Sequence, residues 1–354
     1  MKIGILTFHC ADNYGAVLQA FALYQKLTEL SSENEVFIVD YRPDSITKTY
    51  SLIKFGNISN FIRSLIQLPF SFKRKLMFDM FRKKYFKLID INDINKIDYL
   101  ICGSDQIWNP NITRNIDPYY FGIIKGFLGK TVTYAVSDGG YLDTINDKIL
   151  REYLAKITAL SVREPTMLPL LEQYKQDISV VLDPVFLLDK KIWEIIASKR
   201  KYQNYILIYC TARNDKILQD AYTLSKLKGF KVIEITYGFL FKKIFVNKQK
   251  ILPCTSIPDF LSYFFYAEYV FTDSFHGTAF SIIFNKNFFS YRLNDKRNDR
   301  IHTILSAFDL TNRYGNCFNT EILNDIDYHS VNTYMVQKRN ISISFLMKAL
   351  LCQP

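Results

Sequence analysis

Short apolar runs recur along this chain, each closing on polar or turn residues and followed by a stretch of helical periodicity, and this alternation constrains the fold more than any other feature. "KIGILTF" reads as a buried strand that opens into the loop "HCADNYG" and then the helical "AVLQAFALYQKLTEL". "EVFIVDY" is a second strand, and residues 50 to 90 are mostly helical. "IDYLICGSD", "KTVTYAVSDGG", "ALSVREP" and "ISVVLDP" then supply further short strands. The pattern restarts at "YQNYILIYCTA", with strands "FKVIEITYG" and "YVFTDS" set among the helical "DKILQDAYTLSKLKG", "IPDFLSYFFYAEY" and "GTAFSIIFN".

Strands separated by helices make an α/β chain with largely parallel sheets, and two such series make two Rossmann-like domains facing a cleft. The expected division is 1–190 and 191–325, because Asp183-Pro184 breaks the strand pattern and a Lys-rich stretch follows. Residues 326–354 are expected to form a helix that packs back across both domains. Functional groups in such sheets gather beyond the carboxyl ends of the strands.

With 354 residues, 49% of them hydrophobic, the chain has the apolar surface for two cores. The apolar start "MKIGILTFHC" is short, meets Asp12 at once and has no small-residue cleavage site after it, so it reads as a strand and not as a signal peptide. No uncharged apolar run reaches the roughly 18 residues of a membrane span, and a cytoplasmic protein is expected. The six cysteines are scattered with no CxxC pair, which implies reduced thiols and no metal site; Cys102 and Cys210 fall in strand-like runs and are expected to be buried.

A net charge of +11 points to an anionic partner. The densest basic block, "SFKRKLMFDMFRKKYFKLID" over residues 71–90, alternates Lys and Arg with Phe, Leu, Met and Tyr as an amphipathic helix does. The favoured reading is a solvated face over an apolar stripe packed on its own domain. A peripheral contact with the inner membrane face is the second reading, and a nucleic-acid-binding or membrane-binding protein without catalysis is the extreme form of the idea.

One of only four histidines, His276, stands in "YVFTDSFHGTAFSIIF" between a strand and a helix expected to begin near Thr278, with Gly277 allowing a tight turn. Imidazole and the first backbone N–H groups of that helix then face one crevice, an anion site with a proton donor beside it. The alternative, a buried histidine satisfied by a carbonyl, is weakened by the flanking Asp273, Ser274 and Thr278, polar side chains expected to resist burial. In "YRLNDKRNDRIH", Arg292 and Lys296 are cations for a phosphate or carboxylate, unless the loop is merely solvated. Arg163 in "SVREP" sits at a strand end where a guanidinium grips an oxyanion, the plainer reading being a surface ion pair with Glu164. Asp12, Asn13 and Tyr14 line the first loop, with helix capping by Asp12 or Asn13 the simpler role. Ser104, Asp105 and Gln106 in "GSDQIWNP" suit hydrogen bonds to sugar hydroxyls.

The chain has no Walker A loop, no GxGxxG after a strand, no HExxH and no GxSxG. Taken together, "ILTFHCADNYGAVLQAFAL", "ICGSDQIWNP", "TYAVSDGG", "SVREP", "VLDPVFLL" and "TDSFHGTAFSIIFNKNFF" resemble, in order and spacing, the polysaccharide pyruvyl transferase family. The resemblance implies a GT-B-like cytoplasmic enzyme, without cofactor or nucleic acid, that moves the pyruvyl group of phosphoenolpyruvate onto a sugar hydroxyl pair as a ketal. It implies Arg163 and His276 as catalytic, donor-binding residues and matches Lys296 to a family lysine. Cys10 replaces a common Asn and Asn287 a common Pro, departures that bear on the acceptor side. The acceptor it implies is a sugar of a polysaccharide or of its lipid-linked precursor. A GT-B glycosyltransferase with a nucleotide-sugar donor is the alternative.

Overall fold

The computed structural model describes residues 1–31, 33–54, 57–211, 214–237, 249–293, 298–318 and 325–351. The chain divides into two compact units, the first made of Met1–Tyr50, Arg82–Leu188 and Thr333–Pro354, the second of Ser51–Phe81 and Asp189–Asn332.

In the first unit β1 (Lys2–Leu6), β2 (Glu35–Asp40), β3 (Leu88–Asp90), β4 (Tyr99–Cys102), β5 (Lys130–Thr133), β6 (Ile157–Val162) and β7 (Ile178–Val180) form one sheet in the order β3-β2-β1-β4-β5-β6-β7, every pair parallel. The second unit repeats the pattern with β8 (Tyr205–Tyr209), β9 (Lys231–Ile235), β10 (Gln249–Leu252), β11 (Tyr269–Thr272), β12 (Asn287–Tyr291) and β13 (Tyr314–Gly315), ordered β10-β9-β8-β11-β12-β13 and again parallel. Two Rossmann-like α/β units with parallel sheets were the fold expected from the strand and helix alternation. In each sheet the order reverses at one place, between β1 and β4 and between β8 and β11. Such reversals splay the flanking loops apart and open a crevice at the strand carboxyl ends.

The central strands are apolar throughout because helices cover both faces. Ile3, Ile5, Leu100, Ile101, Ile206, Leu207, Val270 and Phe271 are all buried. In the first core the Trp108 indole stacks on Phe121 with ring centroids 4.5 Å apart and donates to the Tyr120 carbonyl at 3.2 Å. The second core is aromatic: Trp193 meets Phe280 edge-on at 5.2 Å, and Tyr209 meets Phe260 at 5.0 Å.

The sequence reading did not anticipate β3, β10 or β13. β3 corrects the extent of the basic helix, which runs Ile58–Tyr85 and gives way to a strand before residue 90. Cys102 is buried as expected, whereas Cys210 lies just past β8 and is only partly covered. The last helix spans Tyr328–Leu351. Within the first unit its Arg339 donates to the carbonyls of Phe186 and Leu188, at 2.6 and 3.1 Å, and its Ser342 hydroxyl accepts from the Leu182 N–H at 3.0 Å. No helix among the described residues is long and apolar enough to cross a membrane.

Candidate active site

The second unit places His276 beside its switch point. β11 ends at Thr272, and the helix Phe275–Ile283 starts after Asp273 and Ser274, one turn earlier than the sequence suggests. Ser274 is the N-cap: its hydroxyl accepts from the Gly277 N–H at 3.4 Å, and its carbonyl accepts from the Thr278 N–H at 2.9 Å. His276 therefore sits inside the first helical turn. The Gly277 and Thr278 N–H groups, expected to face a donor, are instead engaged within that turn by the Ser274 hydroxyl and carbonyl.

Gly277 answers to packing and not to a turn. A Cβ there would lie 2.2 Å from Thr272 Oγ1, so only glycine lets the helix start this close to the end of β11. Thr272 cannot step aside, because its hydroxyl donates to the Tyr209 carbonyl at 2.5 Å and accepts from the Ser274 N–H at 3.1 Å. Asp273 Oδ1 accepts from the Thr211 N–H at 2.6 Å, which ties the loops after β8 and β11 together across the switch point. Thr278 shares a hydroxyl contact of 2.7 Å with Ser290.

Asp273, Ser274, His276 and Thr278 are all buried, His276 keeping 8% of its surface. The expectation that this polar set resists burial is thus overturned. Neighbouring backbone and hydroxyl groups satisfy Ser274, Thr278 and the Oδ1 atom of Asp273, as buried polar atoms require. Arg292 lies past β12, exposed, with its guanidinium 5.3 Å over the Tyr314 ring, so the partner it shows is aromatic and not His276. Lys296 lies outside the described residues.

Arg163 directly follows β6 in the first unit and is 4% exposed, which corrects the surface reading. Its Nε donates to Glu164 Oε1 at 2.7 Å and its Nη1 to Asp183 Oδ2 at 2.8 Å. Burial alone would lower its pKa, but the carboxylates of Glu164, Asp183 and Asp105 outweigh burial and raise it, holding the guanidinium charged. Asp183, fully buried, also accepts from the Val185 N–H at 3.1 Å and from the Ser104 hydroxyl at 3.4 Å. The sequence reading used Asp183 only as a boundary mark; an aspartate closing an apolar run just before proline was the available signal for a buried partner.

Ser104 and Tyr14, expected on the acceptor side, are both buried. Ser104 is buried, its N–H donating to Gln19 Oε1 at 3.2 Å, its hydroxyl to the Ala135 carbonyl at 2.8 Å, and its carbonyl accepting from Thr7 Oγ1 at 3.0 Å. Tyr14 is fully buried in the core. Gln106 is buried too, its side-chain oxygen accepting from Asn109 at 2.8 Å. Asn13 is the helix cap, accepting from the Ala16 N–H at 3.1 Å, while Asp12 accepts from Arg82 at 2.8 Å. Asp105 and Asn13 keep partial exposure at the mouth of this loop pair.

Sequence reasoning missed what fixes the first loop. Arg82 donates to the carbonyls of His9 at 2.9 Å and Ala11 at 2.6 Å, and His9 Nε2 pairs with Asp40 at 3.0 Å. The His9 contact, against the cost of burial and with help from Arg42, holds the Asp40 carboxyl well below its usual range. Burial pushes the Cys10 thiol up, and Arg82 opposes it. Among the described residues no group of three His, Cys, Asp or Glu side chains is placed to hold a metal ion.

Two parallel Rossmann-like units, each with polar side chains gathered where its strand order reverses, define a GT-B-like fold. Solved structures share it. A Listeria monocytogenes protein assigned as a UDP-N-acetylglucosamine 2-epimerase is 11% identical over 100% of this chain and 97% of its own, with a TM-score of 0.57. Staphylococcus aureus MnaA, solved with UDP, is 11% identical over 99% of this chain and 96% of its own, at 0.54. A Methanocaldococcus jannaschii UDP-GlcNAc 2-epimerase is 12% identical over 96% and 93%, at 0.50. At such identities the likeness is one of fold. A search of the curated proteins gave no match. The chain belongs to the polysaccharide pyruvyl transferase family, whose model matches residues 13–295. It is accordingly a pyruvyltransferase-family chain acting in polysaccharide biosynthesis.

Proposed function

We propose that the protein transfers the pyruvyl group of phosphoenolpyruvate to two hydroxyls of a saccharide, free or lipid-linked, as a ketal, and that it does so in the cytoplasm. Family membership supports the reaction class, and the seat of His276 in the first turn after β11 is the observation that supports its residue assignment.

The donor carries a phosphate and a carboxylate, so it favours a helix N-terminus, where the backbone dipoles present positive partial charge. Ketal formation needs a proton on the methylene carbon, which turns it into a methyl group and leaves the phosphate-bearing carbon electron-poor. One acceptor hydroxyl attacks that carbon, phosphate leaves with the C–O bond pair, and the second hydroxyl closes the ring. Two hydroxyl protons are lost; one balances the proton given to carbon and the other departs with phosphate. His276 delivers and collects these protons, work for which imidazole is suited near neutral pH. Lys296 and Arg292 are proposed to add positive charge on the donor side.

Arg163 acts in this reading as a positioning residue. Its two carboxylate partners occupy the Nε and Nη1 donors, and through Asp183 it holds Ser104 and the loop that carries Asp105. Asp105 and Asn13, partly exposed, are the proposed acceptor contacts, with Asp12 and Gln106 bracing them. Incubation with phosphoenolpyruvate or with nucleotide sugars, each with a panel of saccharides, tests the proposal. Phosphate release with phosphoenolpyruvate alone among the donors is expected, and turnover of a nucleotide sugar contradicts it.

A further inference from the structure

The helix Ile58–Tyr85 buries one face and leaves the opposite one apolar, the reverse of what a surface helix normally does. Ser64, Phe78, Phe81 and Arg82 are buried, whereas Ile58, Ile62, Leu65, Ile66, Phe72, Leu76 and Met80 are exposed, from 43% for Leu65 to 79% for Ile58. At 3.6 residues per turn these seven positions fall within an arc of about 120° and run along roughly 33 Å of helix. The packing assumed for the basic block from sequence therefore accounts for Phe78 and Phe81 but not for Phe72, Leu76 or Met80. A contiguous apolar strip of this size on a protein surface marks a contact with another phase or partner.

The charges on the same helix say which. Lys73, Lys83 and Lys84 are exposed on that arc, and across the whole helix seven basic residues face a single acid, Asp79, which lies off the stripe. Arg74 is excluded from the count of available cations, because its Nη1 donates to the Tyr237 carbonyl at 2.9 Å and its guanidinium lies over the Tyr237 ring. A second copy of the chain would bring the same lysines against one another, a repulsion that an anionic lipid surface replaces with attraction. We infer that this helix lies in the plane of an anionic bilayer, its seven apolar side chains inserted at the headgroup boundary and Lys73, Lys83 and Lys84 at the phosphates. The inference stands on the helix alone and is independent of the pyruvyl-transfer reading.

Vesicles of phosphatidylcholine with and without phosphatidylglycerol test it, by sedimentation of the full chain. Expected are partition onto the phosphatidylglycerol vesicles, weakening at high salt, and a loss of at least about tenfold in the Leu76→Ser/Met80→Ser variant. Both positions are exposed, and an unchanged circular dichroism spectrum and unfolding midpoint confirm that the variant folds. A Phe72→Trp variant should shift its emission to the blue only when vesicles are added. Three results overturn the inference: equal partition by wild type and double variant, a Phe72→Trp emission already blue-shifted in buffer, or concentration-dependent self-association that the same substitutions abolish.

Discussion

Arg163 is bracketed by Glu164 and Asp183 in a buried site, so removing it leaves two buried carboxylates without their cation. Breaking a buried pair of this kind costs on the order of 3–5 kcal/mol. Arg163→Ala is therefore expected to lower stability by about that amount in denaturant unfolding; an unchanged midpoint would place the arginine outside the framework of the fold. Lys286 makes the opposite case. Burial, with repulsion from Lys190, pushes its ammonium down to about 8, and the folded state holds its proton less tightly than the unfolded chain does. Wild-type stability should then rise as pH climbs from near 8 toward the ordinary lysine value, and below that window the charged form is a standing cost. Lys286→Met is expected to raise stability at pH 7 by on the order of 1–3 kcal/mol, with the gain shrinking at alkaline pH; a constant gain across pH 7 to 10 would show that charge burial is not the cause. At this scale the sequence named His276 and Arg163 with their chain neighbours, Glu164 among them, but not the partners that lie far off in the chain. Asp183 lies 20 residues from Arg163, and Asp40 lies 31 from His9. Only a folded sheet brings such pairs together, and no local pattern announces them.

The start of the helix Phe275–Ile283 depends on one absent methyl group. Alanine at position 277 would gain helix propensity, about 1 kcal/mol over glycine. Here that gain is overridden, since the new Cβ meets a Thr272 hydroxyl pinned by two hydrogen bonds. Gly277→Ala should lose about 1–3 kcal/mol by overpacking and slow turnover by shifting the His276 turn, and thermal unfolding with a phosphate-release assay checks both. A variant as stable and active as wild type would mean that the helix can slide away from β11. The long elements were legible because runs such as "YILIY" and "YVFT" are apolar throughout and end in polar residues. β3 and β10, three and four residues long and carrying charge, form because β2 and β9 offer them a parallel edge. The periodicity of the basic helix identified a stripe but carried no information about whether that stripe faced protein or solvent.

Across the whole molecule the two sheets repeat one topology, and the segments after β1, β4 and β11, which flank the order reversals, carry Asp12, Asn13, Ser104, Asp105 and His276, whereas Arg163 and Arg292 follow strands farther out, β6 and β12. The first unit holds a hydrogen-bonded framework, in which Arg82, Arg163, Asp183 and Ser104 are bound to neighbours and few groups face outward. The second sets a histidine on a helix start. The formal charge of +11 suits an anionic donor, although part of it belongs to the basic helix. The most direct test is a single assay: phosphate released from phosphoenolpyruvate in the presence of a saccharide panel, quantified beside the ketal formed on the acceptor, for wild type and for His276→Asn. The account predicts equal amounts of phosphate and ketal with wild type and a fall of about a hundredfold or more for His276→Asn at unchanged stability. Ketal formation by the His276→Asn variant at the wild-type rate would contradict it.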